Sequence, residues 1–215
     1  VDAAALTNKY KKQSQFSEVW RRLRKNKAAM LGLAIMILLV SLALAAPLIY
    51  DYDGDVISQN IKNRLQSPSA AHPFGTDEMG REILARVIWG ARTSLSIGFT
   101  AVLFALIVGG TLGAISGFYG GIVDNVIMRI MDIFLAVPGT LLAITIAAAL
   151  GPSTINLIIA LSISSVPGFA RIVRGSVLTV RDVEYIEAAK AIGASNGRIL
   201  LQHVIPNSLA PVIVH

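Results

Sequence analysis

Residues 28–50 read AAMLGLAIMILLVSLALAAPLIY, and no charged side chain interrupts the run. A helix rises about 1.5 Å per residue, so a run of this length crosses a hydrocarbon core of roughly 30 Å. It is too long for the apolar part of a secretory signal, and eight basic residues precede it over a long lead, so it reads as an uncleaved span. Further uncharged stretches follow at about 94–117, 133–150 and 154–170, and a fifth begins at Pro206 with PNSLAPVIVH. The predicted fold class is therefore all-α, a polytopic membrane helix bundle.

Composition agrees with that reading. The chain has 215 residues and 22.8 kDa, with 54% apolar and 15% charged residues and a mean hydropathy of +0.64. Too little polar surface exists to clothe a soluble globule of this size. The same balance excludes intrinsic disorder. Zero cysteines exclude a disulfide scaffold, Cys-ligated metal and thiol chemistry.

The net charge of +6 would suggest nucleic acid in a soluble protein, but its placement says otherwise. Lys9, Lys11, Lys12, Arg21, Arg22, Arg24, Lys25 and Lys27 precede the first span. With the N-terminus in the cytoplasm, 14 of the 19 basic residues fall inside and five outside. That is a topology signal, with anionic membrane lipid as the partner of the basic segments. Basic and aromatic residues do not interleave on a soluble platform, so nucleic acid is not expected. The chain divides into a basic cytoplasmic segment 1–27, a segment 28–93 with the first transmembrane helix and an external loop, and a core 94–215.

The external connection opens acidic, with Asp51, Asp53 and Asp55, and becomes loop-like through 67–73. Residues 78–92 then predict an amphipathic helix, with Met79, Ile83, Leu84, Val87, Ile88 and Ala91 on one face. Such a helix either lies at the outer interface or extends the second span. His72 and Asp77 flank HPFGTD, where Pro73, Gly75 and Asp77 supply turn chemistry better than a metal or acid–base site.

Within the spans, Gly109, Gly113 and Gly117 stand four apart and form a helix-packing ridge, where small residues admit another backbone. Pro138–Gly139 and Pro167–Gly168 interrupt the third and fourth spans and can kink them. The spans as bounded hold no ionisable side chain, so nothing offers a coupling-ion site to a secondary transporter. A voltage sensor's arginine ladder, a channel filter and a phosphate-binding nucleotide loop are likewise missing. His203 and His215 have no obvious partners. Catalytic, cofactor and metal residues are none. If the bundle moves something uphill, the energy comes from another chain. A secondary transporter or channel subunit, or an assembly scaffold, is the competing class.

The segment 181–206, RDVEYIEAAKAIGASNGRILLQHVIP, reads as two short helices meeting at a bend. Asp182 or a neighbour caps the first, Glu184 sits near its N-terminus, and Gly193 suits a left-handed stop. Ser195 caps a second helix over 196–204, and Pro206 opens the next span in its first turn. An ordinary amphipathic loop and a docking element fit this spacing alike.

Glu187-Ala188-Ala189, then Gly193, then Ile205-Pro206 resembles the EAA loop of permease subunits in ABC importers. The family ends the element in Leu-Pro, so Ile-Pro is a conservative departure. Upstream, His72-Pro73-Phe74-Gly75-Thr76-Asp77 with Gly80-Arg81, and Gly90-Ala91-Arg92-Thr93-Ser94-Leu95, look like the C-type permease of dipeptide, oligopeptide and nickel importers. The basic tail ending in Lys25-Asn26-Lys27 is similar too, and the resemblance covers 16–215. It implies a type I ABC importer transmembrane domain, truncated here before the last two spans, in a bacterial or archaeal cytoplasmic (inner) membrane. The implied partners are a second permease forming a heterodimer, two ATP-binding subunits, an extracytoplasmic substrate-binding protein and a peptide substrate, with nickel as the alternative cargo. It also implies that loop 171–205 couples to the ATPases through Glu187, Ala188, Ala189, Gly193 and Pro206. On that reading a large side chain at Ala189 levers the loop out of a partner's cleft.

Overall fold

A computed structural model describes residues 20, 21 and 23–208. Lys9, Lys11, Lys12, Arg22 and His215, and the fifth span beyond Ser208, lie outside the described residues. The described residues form helices and turns, with one isolated antiparallel bridge between Thr76 and Glu82. The helices are α1 (Lys27–Ile49), α2 (Ile83–Tyr119), α3 (Gly121–Leu135), α4 (Gly139–Leu150), α5 (Thr154–Val180), α6 (Glu184–Ala191) and α7 (Asn196–Ile199). Three of them, α1, α2 and α5, are long and apolar enough to cross a membrane. The chain divides into two compact units between Leu95 and Ser96, within α2.

In the first unit, Asn26 caps α1 by accepting the Ala29 N–H at 3.1 Å. Apart from Ala43 and Ala46, α1 buries none of its residues, which suits a hydrocarbon surrounding. Beyond it, Asp51 and Asp55 bond each other's turn: Asp51 accepts the Gly54 N–H at 2.7 Å, and Asp55 accepts the Asp51 N–H at 2.8 Å. They stabilise a single π-helical turn, Tyr52–Ile57. Trp89 donates its indole N–H to the Tyr50 carbonyl at 3.2 Å and stacks obliquely on Tyr52.

The predicted helix over 78–92 is corrected: the helix starts only at Ile83 and is continuous with the second span. Asp77 explains the late start. Its carboxylate accepts the backbone N–H groups of Met79 and Arg81 at 2.8 and 3.0 Å, and Gly80 turns at φ +72°. These bonds offer the backbone a turn in place of a first helical turn. Downstream the apolar pattern runs on unbroken, so the chain extends the span.

In the second unit, α2 and α5 pack through small residues. Ala101, Ala105, Ala160 and Ala170 are buried, and Ser162 donates to the Ala101 carbonyl at 3.2 Å. Asn156 closes the end of α4 by donating to the carbonyls of Leu150 and Gly151 at 2.7 and 3.1 Å. The third apolar stretch, 133–150, is interrupted at Pro138–Gly139 as expected, but the helix before the break starts earlier, at Gly121. Helices α3 and α4 meet at an 83° bend, as a broken span or a re-entrant pair. Pro138 causes it, because it lacks an N–H and forces the residue before it out of the helical region. Pro167 has no such effect. It is buried inside α5, which runs unbroken to Val180 and takes in the first ten residues of the 171–205 connection.

Candidate functional site

The segment after α5 folds as a helical hairpin. Helix α6 follows Val183, whose side chain gives no cap bond, while Asp182 pairs with Arg181 at 3.1 Å. The expected Asp182 cap is thus replaced: the carboxylate is held by the neighbouring guanidinium. The helix ends in a Schellman motif, with Ala194 N–H bonded to the Ala189 carbonyl at 3.1 Å and Gly193 N–H to the Lys190 carbonyl at 3.0 Å. Gly193 sits at φ +82°, a conformation that costs a branched residue dearly. Ser195 occupies the N-cap position of α7 but makes no cap bond.

Pro206 departs from its expected place. The helix does not restart there: α7 passes through a π-helical stretch, Leu200–Val204, and remains helical through Ser208. The wider turn carries the chain past a proline that has no N–H to give. Asn207 donates its side-chain amide to the His203 carbonyl at 2.6 Å, so that acceptor is satisfied as well.

One apolar cluster holds the hairpin. Ile186 and Ala189 of α6, Ile199 of α7, and Leu200 and Val204 beyond it bury together with Val173 and Val177 of α5 and Ala114 of α2. Ser176 adds a hydrogen bond to the Ser208 carbonyl at 2.6 Å. Ala189 therefore points into the chain's own core. That corrects the expectation that a large residue there would act on a partner's cleft, since it would first disrupt the hairpin itself. Glu187, Ala188, Gly193 and Pro206 are exposed. Tyr185 and Ile192 share the outward face with Ala188, at i, i+3 and i+7, and Ile192 is 85% exposed. Sequence reasoning missed this second stripe, although the spacing was readable beside the Ile186–Ala189 one.

The glycine ridge lies against α5. A Cβ at Gly109 would stand 2.5 Å from the Val166 carbonyl oxygen, one at Gly113 would overlap the Ala170 carbonyl, and one at Gly117 would stand 3.0 Å from that of Arg174.

A charged cluster that the sequence reading passed over joins the same ends. Arg174 of α5 grips Asp124 of α3 with two bonds of 2.5 and 2.6 Å, and Ser116 of α2 donates to the same carboxylate at 2.5 Å. Arg181 donates to the Gly117 carbonyl at 2.9 Å, and Arg171 reaches Asp132 at 2.8 Å in an exposed pair. Arginines at 171, 174 and 181 fall on one helical face, which was the available signal.

In the first unit, His72 Nδ1 pairs with Glu82 at 2.7 Å. Thr76 donates to the Asn63 carbonyl and accepts the Gln66 N–H. Burial pushes the Asp77 carboxyl up, but the N–H groups of Arg81 and Met79 and the Arg81 guanidinium outweigh it and hold it down at about 2. Arg86 also donates to Asp77, at 2.7 Å. Most of this loop's polar groups are spent on its own turn, while Glu82 Oε1 is buried with no hydrogen-bond partner among the described residues. Among the described residues, no group of three metal-ligating side chains comes together.

Comparison with known proteins supplies two family matches. Residues 109–215 match the binding-protein-dependent transport system inner membrane component, and residues 14–68 match the N-terminal transmembrane domain of oligopeptide transport permease C. The dipeptide transport system permease protein DppC of Alkalihalophilus pseudofirmus is 50% identical over 207 residues, covering 96% of this chain and 67% of that protein. The glutathione transport system permease protein GsiD of Pectobacterium atrosepticum is 39% identical over 204 residues, covering 94% and 67%. The oligopeptide transport system permease protein OppC of Bacillus subtilis is 40% identical over 204 residues, covering 95% and 66%. The chain thus spans about two thirds of the length of these relatives.

Proposed function

The chain belongs to the family of binding-protein-dependent inner-membrane permeases of ABC importers, a multi-pass membrane protein, and on that premise we propose that it forms part of an ATP-driven import pathway for di- or oligopeptides. The relatives named above are called after dipeptides, oligopeptides and glutathione, which supports a peptide over nickel as cargo. The permease itself does no ATP chemistry. It works beside a second permease, two ATP-binding subunits and an extracytoplasmic substrate-binding protein, and its N-terminus lies in the cytoplasm.

The observation that carries the coupling role is the two-sided α6. Its Ile186–Ala189 stripe is buried in the chain's own cluster, which fixes the helix rigidly. The Tyr185–Ala188–Ile192 stripe is left outside, apolar and small at its centre. A partner's cleft covers that stripe at little entropic cost, because the helix is already ordered. Glu187 beside it bonds the partner's donors, and Gly193 sets the angle at which α6 is presented.

A cysteine at Ala188 in the full-length chain, co-expressed with its ATP-binding subunit, is expected to cross-link to that subunit with a yield that changes between the nucleotide-free and ATP-bound states. No cross-link in any nucleotide state would remove the coupling role. Orientation has its own test: an impermeant thiol reagent applied to intact cells is expected to label Ser58→Cys and spare Ser195→Cys. The reverse pattern would invert the topology.

A further inference from the structure

Helix α3 buries only Met131 fully and leaves Ile122, Val126, Ile130 and Ile133 exposed, so apolar packing alone ties it weakly to the rest of the unit. Its strongest tie is polar. Asp124, in the first turn of α3, accepts two bonds from Arg174 and one from Ser116, and its side chain is 15% exposed. A bidentate guanidinium–carboxylate pair fixes direction as well as distance, which a single contact does not. Arg181 extends the hold by bonding the Gly117 carbonyl, at the point where α2 turns into α3. On the neighbouring face of α5, Val173 and Val177 belong to the cluster that seats α6 and α7. The end of α5 with its C-cap, residues 173–181, therefore grips the α2–α3 corner with its arginines and the hairpin with its valines.

We infer that Asp124 and Arg174 are positioning residues, forming a clamp that makes the end of α5, the α2–α3 corner and the α6–α7 hairpin one rigid body. Displacement imposed on α6 is then delivered to α3, and through the bend at Pro138 to α4, instead of being absorbed in the short turn between Val180 and Glu184. This rests on the coupling role given above to α6.

The test uses nitroxide labels at Asn125→Cys on α3 and Glu184→Cys on α6, both exposed positions, in the full-length chain co-expressed with its partner subunits. The parent is expected to give one narrow inter-label distance, unchanged between nucleotide-free and ATP-bound states. Asp124→Asn and Arg174→Gln are expected to broaden it, and the exchanged pair Asp124→Arg with Arg174→Asp to narrow it again. Peptide transported per ATP hydrolysed is expected to fall about fivefold in each single variant and to recover in the exchange. If the neutral variants fail to accumulate, Asp124→Glu keeps the charge, misplaces the carboxylate and is expected to broaden the distance in part. An unaltered distance in the variants, or a parent distance that shifts with nucleotide, would overturn the clamp. Loss of the Ala188 cross-link with the broadening intact would instead sink the coupling role and leave the clamp standing.

Discussion

Along the α2–α5 seam, contact is made where side chains are missing: Gly109, Gly113 and Gly117 bring one backbone onto another. In the α6–α7 hairpin, contact is made by branched side chains, Ile186, Ile199 and Val204, each fully buried. The two regions adjoin in one unit and hold by opposite means. Solvent explains the difference. Between apolar spans, leucine gains nothing by leaving hydrocarbon, so helices associate through close backbone approach. The hairpin carries Glu184, Glu187, Lys190 and Arg198 on its outside, and removing its aliphatic side chains from water stabilises it directly.

If that contrast is right, adding bulk breaks the seam and removing bulk breaks the hairpin. Gly113→Leu has the largest expected effect, about 3 kcal/mol or more, because the new Cβ overlaps a main-chain carbonyl and both helices must part. Its monodisperse yield in mild detergent should collapse, whereas Leu106→Ala, a half-buried position, should lose much less. An equal yield for Gly113→Leu and the parent would refute close packing at the seam.

Ile186→Ala comes next, at about 2–4 kcal/mol from lost burial and the cavity left behind. Limited proteolysis should then nick 183–205 faster, with the seam untouched. Equal nicking in both proteins would mean the cluster does not hold the hairpin.

The turn around Asp77 adds a third kind of hold, made by charge and hydrogen bonds. Its folded pKa of about 2 lies below the ordinary 3.8, so its contribution is present above pH 4 and is lost as pH falls towards 2. Pepsin should cut residues 60–82 faster as pH drops through that window. Asp77→Asn, at a cost of about 2 kcal/mol, should be cut quickly at every pH in it. A flat parental profile would contradict the assignment. Ser195→Ala should do least, below about 0.5 kcal/mol, because the side chain makes no cap bond where a bonded cap contributes about 1. A drop in the thermal midpoint like that of a true cap would show a bond formed in solution.

How legible each part was follows from how local its cause is. The run 28–50 and helix α1 agree within a residue or two at each end, because an uncharged run of that length has few alternatives. Gly193 was readable as a left-handed stop, since a single residue's sterics decide it. The start of α2 was misread because Asp77 competes for the backbone through a turn that no 3.6-residue period registers. Ala189 was misplaced for a related reason. The motif marks it, but a motif does not say which of two adjacent alanines faces inward.

The amino-acid sequence by itself determined that this protein is an all-α membrane bundle, with its charge outside the apolar runs and a bent, glycine-stopped element after α5. Those properties depend on solvation and on single-residue conformations, which act within a turn or two of chain. Only the tertiary structure decided that α3 and α4 part at 83°, that α6 buries Ile186 and Ala189 while leaving Tyr185, Ala188 and Ile192 outside, and that Arg174 meets Asp124 across 50 residues of chain. Each of these is a choice between partners distant in sequence. Side-chain chemistry limits that choice, and the packing of the whole unit makes it.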